Sequence, residues 1–183
     1  TEEMVAVEGS SMGLRAGDEL PLTGLAAGML LASGNDAANA VALYLDGSQE
    51  AFAERMNRRA LEIGMSNTHF VTPSGLDDEA HYSTAFDMAL LAREALKNSK
   101  FRELASSGTY QIAFDNPEKK VQYTNHNKLL WLYEGCIGVK TGFTKKSGRC
   151  LVSAAERDGV TLIAVTLNAP DDWNDHAKML DYG

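Results

Sequence analysis

Apolar residues in the first half of the chain recur at the period of helices that each bury one face. Leu22, Leu25, Ala26, Met29 and Leu30 fall at i, i+3, i+4, i+7 and i+8, which predicts a helix ending near Ala32. Ala37, Ala40, Val41, Tyr44 and Leu45 repeat that spacing. The intervening Ser33-Gly34-Asn35-Asp36 supplies a glycine for the bend and short polar side chains able to cap the second helix. Phe52, Met56, Ala60 and Ile63 predict a third helix, opened by Ser48 and stopped at Gly64. Thr84, with Asp87 three residues on, has the form of a capping box, and Met88, Leu91, Ala92, Ala95 and Leu96 make the buried stripe of a fourth.

Near Gly108 the period falls to two. Tyr110, Ile112 and Phe114 alternate, Asp115-Asn116-Pro117 turns the chain, and Val121 and Tyr123 alternate again, so a hairpin is expected. Cys150–Glu156 and Val160–Leu167 are β-rich runs joined through Asp158-Gly159, a dipeptide that suits the two positive φ angles of a type I′ turn. Gly138–Thr144 is the expected preceding strand, Lys145–Gly148 its turn, and Asp171–Tyr182 a closing helix on the sheet. Helices over about 20–107 followed by antiparallel strands over about 108–183 give an α+β class, with residues 1–183 forming one compact unit.

Charge narrows the function. Seventeen basic against 25 acidic residues leave a net charge of −8, which repels phosphate backbones and argues against a nucleic-acid partner. The most apolar stretch, Leu22–Leu45, is interrupted by Ser33-Gly34-Asn35-Asp36, so no membrane span is predicted. The chain opens on Thr1-Glu2-Glu3 without an initiator Met or a signal peptide, as expected of a processed or truncated piece. Cys136 and Cys150 either bridge in an oxidising compartment or stay free; spacing leaves both open. The four histidines (His69, His81, His126, His176) include no i, i+4 pair, so no metal or other cofactor is expected.

The candidate chemistry lies in two tripeptides, Ser33-Gly34-Asn35 and Lys140-Thr141-Gly142. Amide hydrolysis by acyl transfer needs a nucleophile, a base, oxyanion donors and a proton source for the leaving amine, and these residues supply the last two kinds of group. Either tripeptide alone also serves as an ordinary cap or turn. Their wider contexts are more specific. Leu31–Ala40, Phe70-Val71-Thr72-Pro73-Ser74-Gly75-Leu76-Asp77, His81–Ala85 and Gly138–Thr144 occur in an order that resembles the low-molecular-mass serine-type D-alanyl-D-alanine carboxypeptidases, which are penicillin-binding enzymes.

That resemblance implies a β-lactamase/transpeptidase-like fold, with a helical cluster packed on an antiparallel sheet. It also implies roles. Ser33 relays a proton to the leaving nitrogen, Asn35 orients the substrate carbonyl, and Lys140 places a positive charge beside Ser33. Thr141 receives the substrate's terminal carboxylate, Gly142 admits the substrate backbone, and the Phe143 N–H is an oxyanion donor. The implied partners are a peptidoglycan stem peptide ending in D-Ala-D-Ala and β-lactams, in the cell envelope of a bacterium. Family members carry the nucleophile in Ser-x-x-Lys, yet none of the nine lysines here follows a Ser or Thr by three positions. The N-terminal strands and nucleophile helix are therefore expected to be absent. The chain alone should be inactive, and it should be unstable or associate with itself or with a complementing fragment.

Three smaller expectations complete the picture. Asn168–Trp173 holds no Arg or Lys where relatives often carry one, so the carboxylate should rest on Thr141 and Lys140. The family's membrane-binding C-terminal region would follow Gly183. Trp131, among Leu129, Leu130 and Leu132, should fill the core; His81 and Tyr82 should brace a loop; and Asn125-His126-Asn127 either lines the cleft or makes a polar turn. A non-catalytic peptide-binding module and a β-lactamase are the alternative readings.

Overall fold

The computed structural model describes residues 1–183. Eight helices and five strands follow in the order α1 (Glu2–Val5), α2 (Leu22–Leu31), α3 (Asn35–Asp46), α4 (Gln49–Glu62), α5 (Ala85–Ala95), α6 (Ser99–Ser106), β1 (Thr109–Phe114), β2 (Lys119–Thr124), α7 (Leu129–Leu132), β3 (Cys136–Thr144), β4 (Gly148–Arg157), β5 (Val160–Thr166) and α8 (Asp172–Tyr182). The expected α+β class holds, with two antiparallel sheets rather than one, β1-β2 and β3-β4-β5. The Asp158-Gly159 turn has φ of 51° and 78° and joins a ladder that closes on Arg157 and Val160, as a two-residue hairpin requires.

The first core lies where α2 meets α3 and the β1-β2 hairpin. Leu25, Ala27, Leu31, Ala37, Val41, Ile112 and Phe114 are buried there together. The second and third cores cover the two faces of β3-β4-β5. Val152 and Ala154 of β4 face Ala92 of α5, whereas Ala155 and Ala164 face Leu180 of α8. Because the sheet is covered on both sides, Leu151–Ala155 is buried without a break instead of alternating.

Several local expectations change. Helix α2 is apolar all round, so its period did not select a face: Leu25, Ala27 and Leu31 are buried, while Met29 and Leu30 line the cavity described below. Residue Gly34, with no side-chain hydrogen bond, is the N-cap of α3. Asp36 is turned instead toward the N-terminal arm, where its carboxylate accepts from Ser11 Oγ (2.6 Å) and from the N–H groups of Met12, Gly13 and Leu14. The Thr84 hydroxyl caps α5, but Asp87 does not return the bond; buried at 1% exposure, it accepts from Asn67 N and Thr68 Oγ1.

Trp131 is 55% exposed rather than a core residue. A four-residue α7 buries only Leu129, and the indole lies against Gly108, where a Cβ would come within 3.0 Å of Cζ2. Both cysteines are free. In the β3-β4 ladder Cys136 faces Ala155 and Cys150 faces Gly142, a separation along the hairpin far beyond the 4.4–6.8 Å that a disulfide spans between Cα atoms. No helix is long and apolar enough to cross a membrane.

One buried histidine ties α8 to the sheet. Its ring, fully inaccessible to solvent, has Nδ1 2.5 Å from Ser153 Oγ of β4 and Nε2 2.9 Å from Thr166 Oγ1 of β5. This is His176. Burial lowers its pKa from 6.5 to about 4, against the opposing pull of Asp172 and Asp175. An unfolded chain therefore binds this proton below about pH 6.5 when the folded chain does not. The stability it contributes is full above that pH and falls as pH drops toward 4, by on the order of 2–3 kcal/mol. Thermal melts should show His176→Gln less stable than wild type at pH 7.5 but losing less on acidification to pH 4.5; parallel losses would contradict the assignment.

Candidate active site

The turn between α2 and α3 presents the first motif. Ser33 adopts φ 54°, a left-handed conformation costly for a residue with a Cβ, and its half-buried side chain is thereby aimed off the helix ends. Gly34 follows because the N-terminal arm crosses it: a Cβ would lie 2.8 Å from Asp36 Oδ1 and 3.1 Å from Met12 N. Gly28 is under the same constraint, since a Cβ there would fall 2.2 Å from Met12 Sδ. Four of the five hydrogen bonds that the Asp36 carboxylate accepts thus hold the arm against the motif turn, the fifth coming from Ala37 N. Burial raises the Asp36 pKa, but the Ser11 hydroxyl and the backbone N–H donors outweigh it and keep the group below the usual carboxylate value.

Strand β3 presents the second motif on the edge of its sheet, with β4 on one side only. Lys140 pairs in the ladder with Val152, Thr141 with Leu151 and Gly142 with Cys150. Across 107 residues of sequence, Lys140 Nζ donates to Ser33 Oγ, and it also donates to Thr141 O at 2.8 Å. No carboxylate meets this ammonium, and burial lowers its pKa from 10.5 to about 8. Asn35 lines the same cavity with one amide hydrogen given to Glu8 O at 2.7 Å. Phe143 is 70% exposed at the rim.

All six expected site residues line one open cavity of about 1070 Å³. Its far wall is the 70–83 loop, built as the sequence suggested on His81: Nδ1 accepts from Val71 N and Thr72 N. Asn57 clamps Phe70 with bonds to both its N–H and its carbonyl. Thr144 Oγ1 reaches from the end of β3 to Asp77 Oδ1 (2.8 Å) and joins the two walls. Asn168–Trp173 carries no Arg or Lys of its own, but a basic side chain reaches that corner from β4. Arg149 of β4 enters it, bonded through Nε and Nη2 to Asp172 (3.2 and 2.8 Å) and set over Trp173 at 5.7 Å. Nothing local to β4 signals this, because the Asp172 partner of Arg149 lies 23 residues on.

The family profile described as D-alanyl-D-alanine carboxypeptidase matches residues 1–171. The chain belongs to that family. It is 39% identical to D-alanyl-D-alanine carboxypeptidase DacF of Bacillus subtilis over 100% of this chain and 47% of the relative. With DacC of Escherichia coli the identity is 39% over 97% of this chain and 44% of the relative. It therefore spans a little under half the length of these curated relatives. Among solved structures, the DD-transpeptidase of Streptomyces K15 superposes with a TM-score of 0.91 at 34% identity, covering 98% of this chain and 73% of that one. A D-alanyl-D-alanine carboxypeptidase from Mycobacterium tuberculosis gives 0.89 at 33% identity, covering 98% and 70%.

The Lys140 environment makes a direct prediction. With its pKa lowered, the ammonium is charged below about pH 8 and neutral above, so anion binding through it should weaken as pH rises past 8. An NMR titration of its side-chain resonance, assigned by loss in Lys140→Arg, should show a midpoint near pH 8. A midpoint at the ordinary 10.5 would contradict the burial.

Proposed function

We propose that the protein to which these residues belong is a serine-type D-alanyl-D-alanine carboxypeptidase. It removes the terminal D-Ala of peptidoglycan stem peptides in a bacterial cell envelope and is acylated by β-lactams. The single observation that carries this reading is the hydrogen bond from Lys140 to Ser33 inside a cavity that Thr141 also lines. It joins an ammonium, a hydroxyl and an unpaired strand edge, the three features needed to hold a peptide by its acidic end and to move a proton at its last amide.

Residues 1–183 are read as part of the catalytic domain, with the reacting serine in a Ser-x-x-Lys segment of the same protein outside them. In the acylation step that serine's Oγ gives its proton to the lysine of its own segment and bonds to the penultimate carbonyl carbon, the amide C–N bond breaks, and Ser33 delivers its hydroxyl proton to the departing D-Ala nitrogen while that lysine returns one to Ser33. Lys140 favours this transfer by keeping positive charge beside the hydroxyl. Thr141 receives the terminal carboxylate, Asn35 orients the substrate carbonyl, Gly142 lets the peptide lie against β3, and the Phe143 N–H faces the developing oxyanion. Water then cleaves the ester. The chain by itself does not turn over, and the unpaired outer edge of β5 suits a complementing strand or a second copy.

D-Ala release from diacetyl-L-Lys-D-Ala-D-Ala tests the proposal. In the protein with its Ser-x-x-Lys segment, Lys140→Ala should lower kcat/KM by roughly a hundredfold or more, and the 183-residue chain alone should gain no penicilloyl mass. Undiminished release by the variant would refute the assignment, and rapid nitrocefin turnover would favour a β-lactamase instead.

A further inference from the structure

His126 is an imidazole in the cleft that nothing in the protein holds. It occupies the turn between β2 and α7, flanked by Asn125 and Asn127 at 5% and 0% exposure. Both asparagines are committed to backbone. Asn125 donates to Ala105 O and Ser107 O and accepts from Asn127 N, while Asn127 accepts from Leu129 N. The turn is thereby braced from inside, and the side chain between the two asparagines is exposed into the cavity that contains Ser33, Lys140 and Thr141.

The other charged groups of that cavity have partners. Arg149 is bonded to Asp172, Asp77 accepts from Thr144, and His81 accepts from Val71 and Thr72. On its own turn, the neighbouring Lys128 is exposed and outside the cavity lining. Lys140 and His126 line the same cavity and neither is bonded to a carboxylate, in a chain of net charge −8. Basic groups left without a counter-ion under those conditions suit an anion brought by a ligand.

We propose that His126 is a second recognition residue of the cleft, taking up a proton as the C-terminal carboxylate of a peptide settles beside Lys140 and Thr141. The inference rests on the peptide-carboxylate reading above and adds the group that makes recognition depend on pH in the neutral range. Without ligand the imidazole's pKa is lowered from 6.5, first by partial burial and then by the Lys140 charge. A carboxylate offsets both, so proton binding and peptide binding strengthen each other.

The test is binding of diacetyl-L-Lys-D-Ala-D-Ala to the 183-residue protein, with the same peptide as its C-terminal amide for control, followed by calorimetry and by the His126 Cε1–H resonance. On going from pH 7.5 to 5.5 the wild type should bind the acid about five- to tenfold more tightly, with proton uptake and an upward-moving His126 midpoint. His126→Gln should bind with little change across that range, and the amide should move nothing. Binding that Lys140→Ala abolishes, yet that keeps its pH slope in His126→Gln, would overturn the inference and leave the peptide-carboxylate reading standing. Acid and amide bound equally, or no binding of either, would overturn both.

Discussion

A lysine ammonium drawn out of water onto a serine hydroxyl is the constraint on which the site depends. Lys140 has no carboxylate partner; its charge is carried by Ser33 Oγ and the Thr141 carbonyl, and burial has already brought its pKa to about 8. A buried charge so thinly compensated is costly to the free protein. It becomes favourable when an anion enters the same space, which converts a local electrostatic deficit into affinity for a ligand's acidic end.

Everything around that contact serves to keep its two ends in place. β3 is fixed by its ladder with β4, and β4 by helices on both faces. The α2-α3 turn has no comparable sheet to hold it, and Asp36 supplies the restraint by gathering Ser11, Met12, Gly13 and Leu14 under the motif. The buried carboxylate is stabilised by the donors it collects, so arm and turn form one unit. Opposite them, the bond between Thr144 and Asp77 makes the 70–83 loop a wall of the cavity rather than a free flap.

Much of this was legible in the sequence wherever a period or a dipeptide reports on local backbone. The α4 and α5 caps at Ser48 and Thr84, the Asp158-Gly159 hairpin and the closing α8 are such cases. Meeting of Ser33 with Lys140 was legible only through resemblance, since nothing in either tripeptide points at the other. What escaped was decided by tertiary partners. Asp36 has the sequence character of a helix cap, and Asp87 that of a capping-box acid, yet each is spent on a segment about 20 residues away. Arg149 looks like an ordinary strand arginine until Asp172 draws it into the cavity. Trp131 sits in an apolar run, but a single helical turn had only one position to bury.

The central claim is that Lys140 and Ser33 act as one unit. A double-mutant cycle on kcat/KM in the protein with its nucleophile segment, comparing Ser33→Ala, Lys140→Ala and the pair, tests it most directly. The account predicts strong non-additivity, with the double variant little worse than the more damaged single one and a coupling above about 1 kcal/mol. Losses that simply add would mean that the two side chains work independently, and would contradict it.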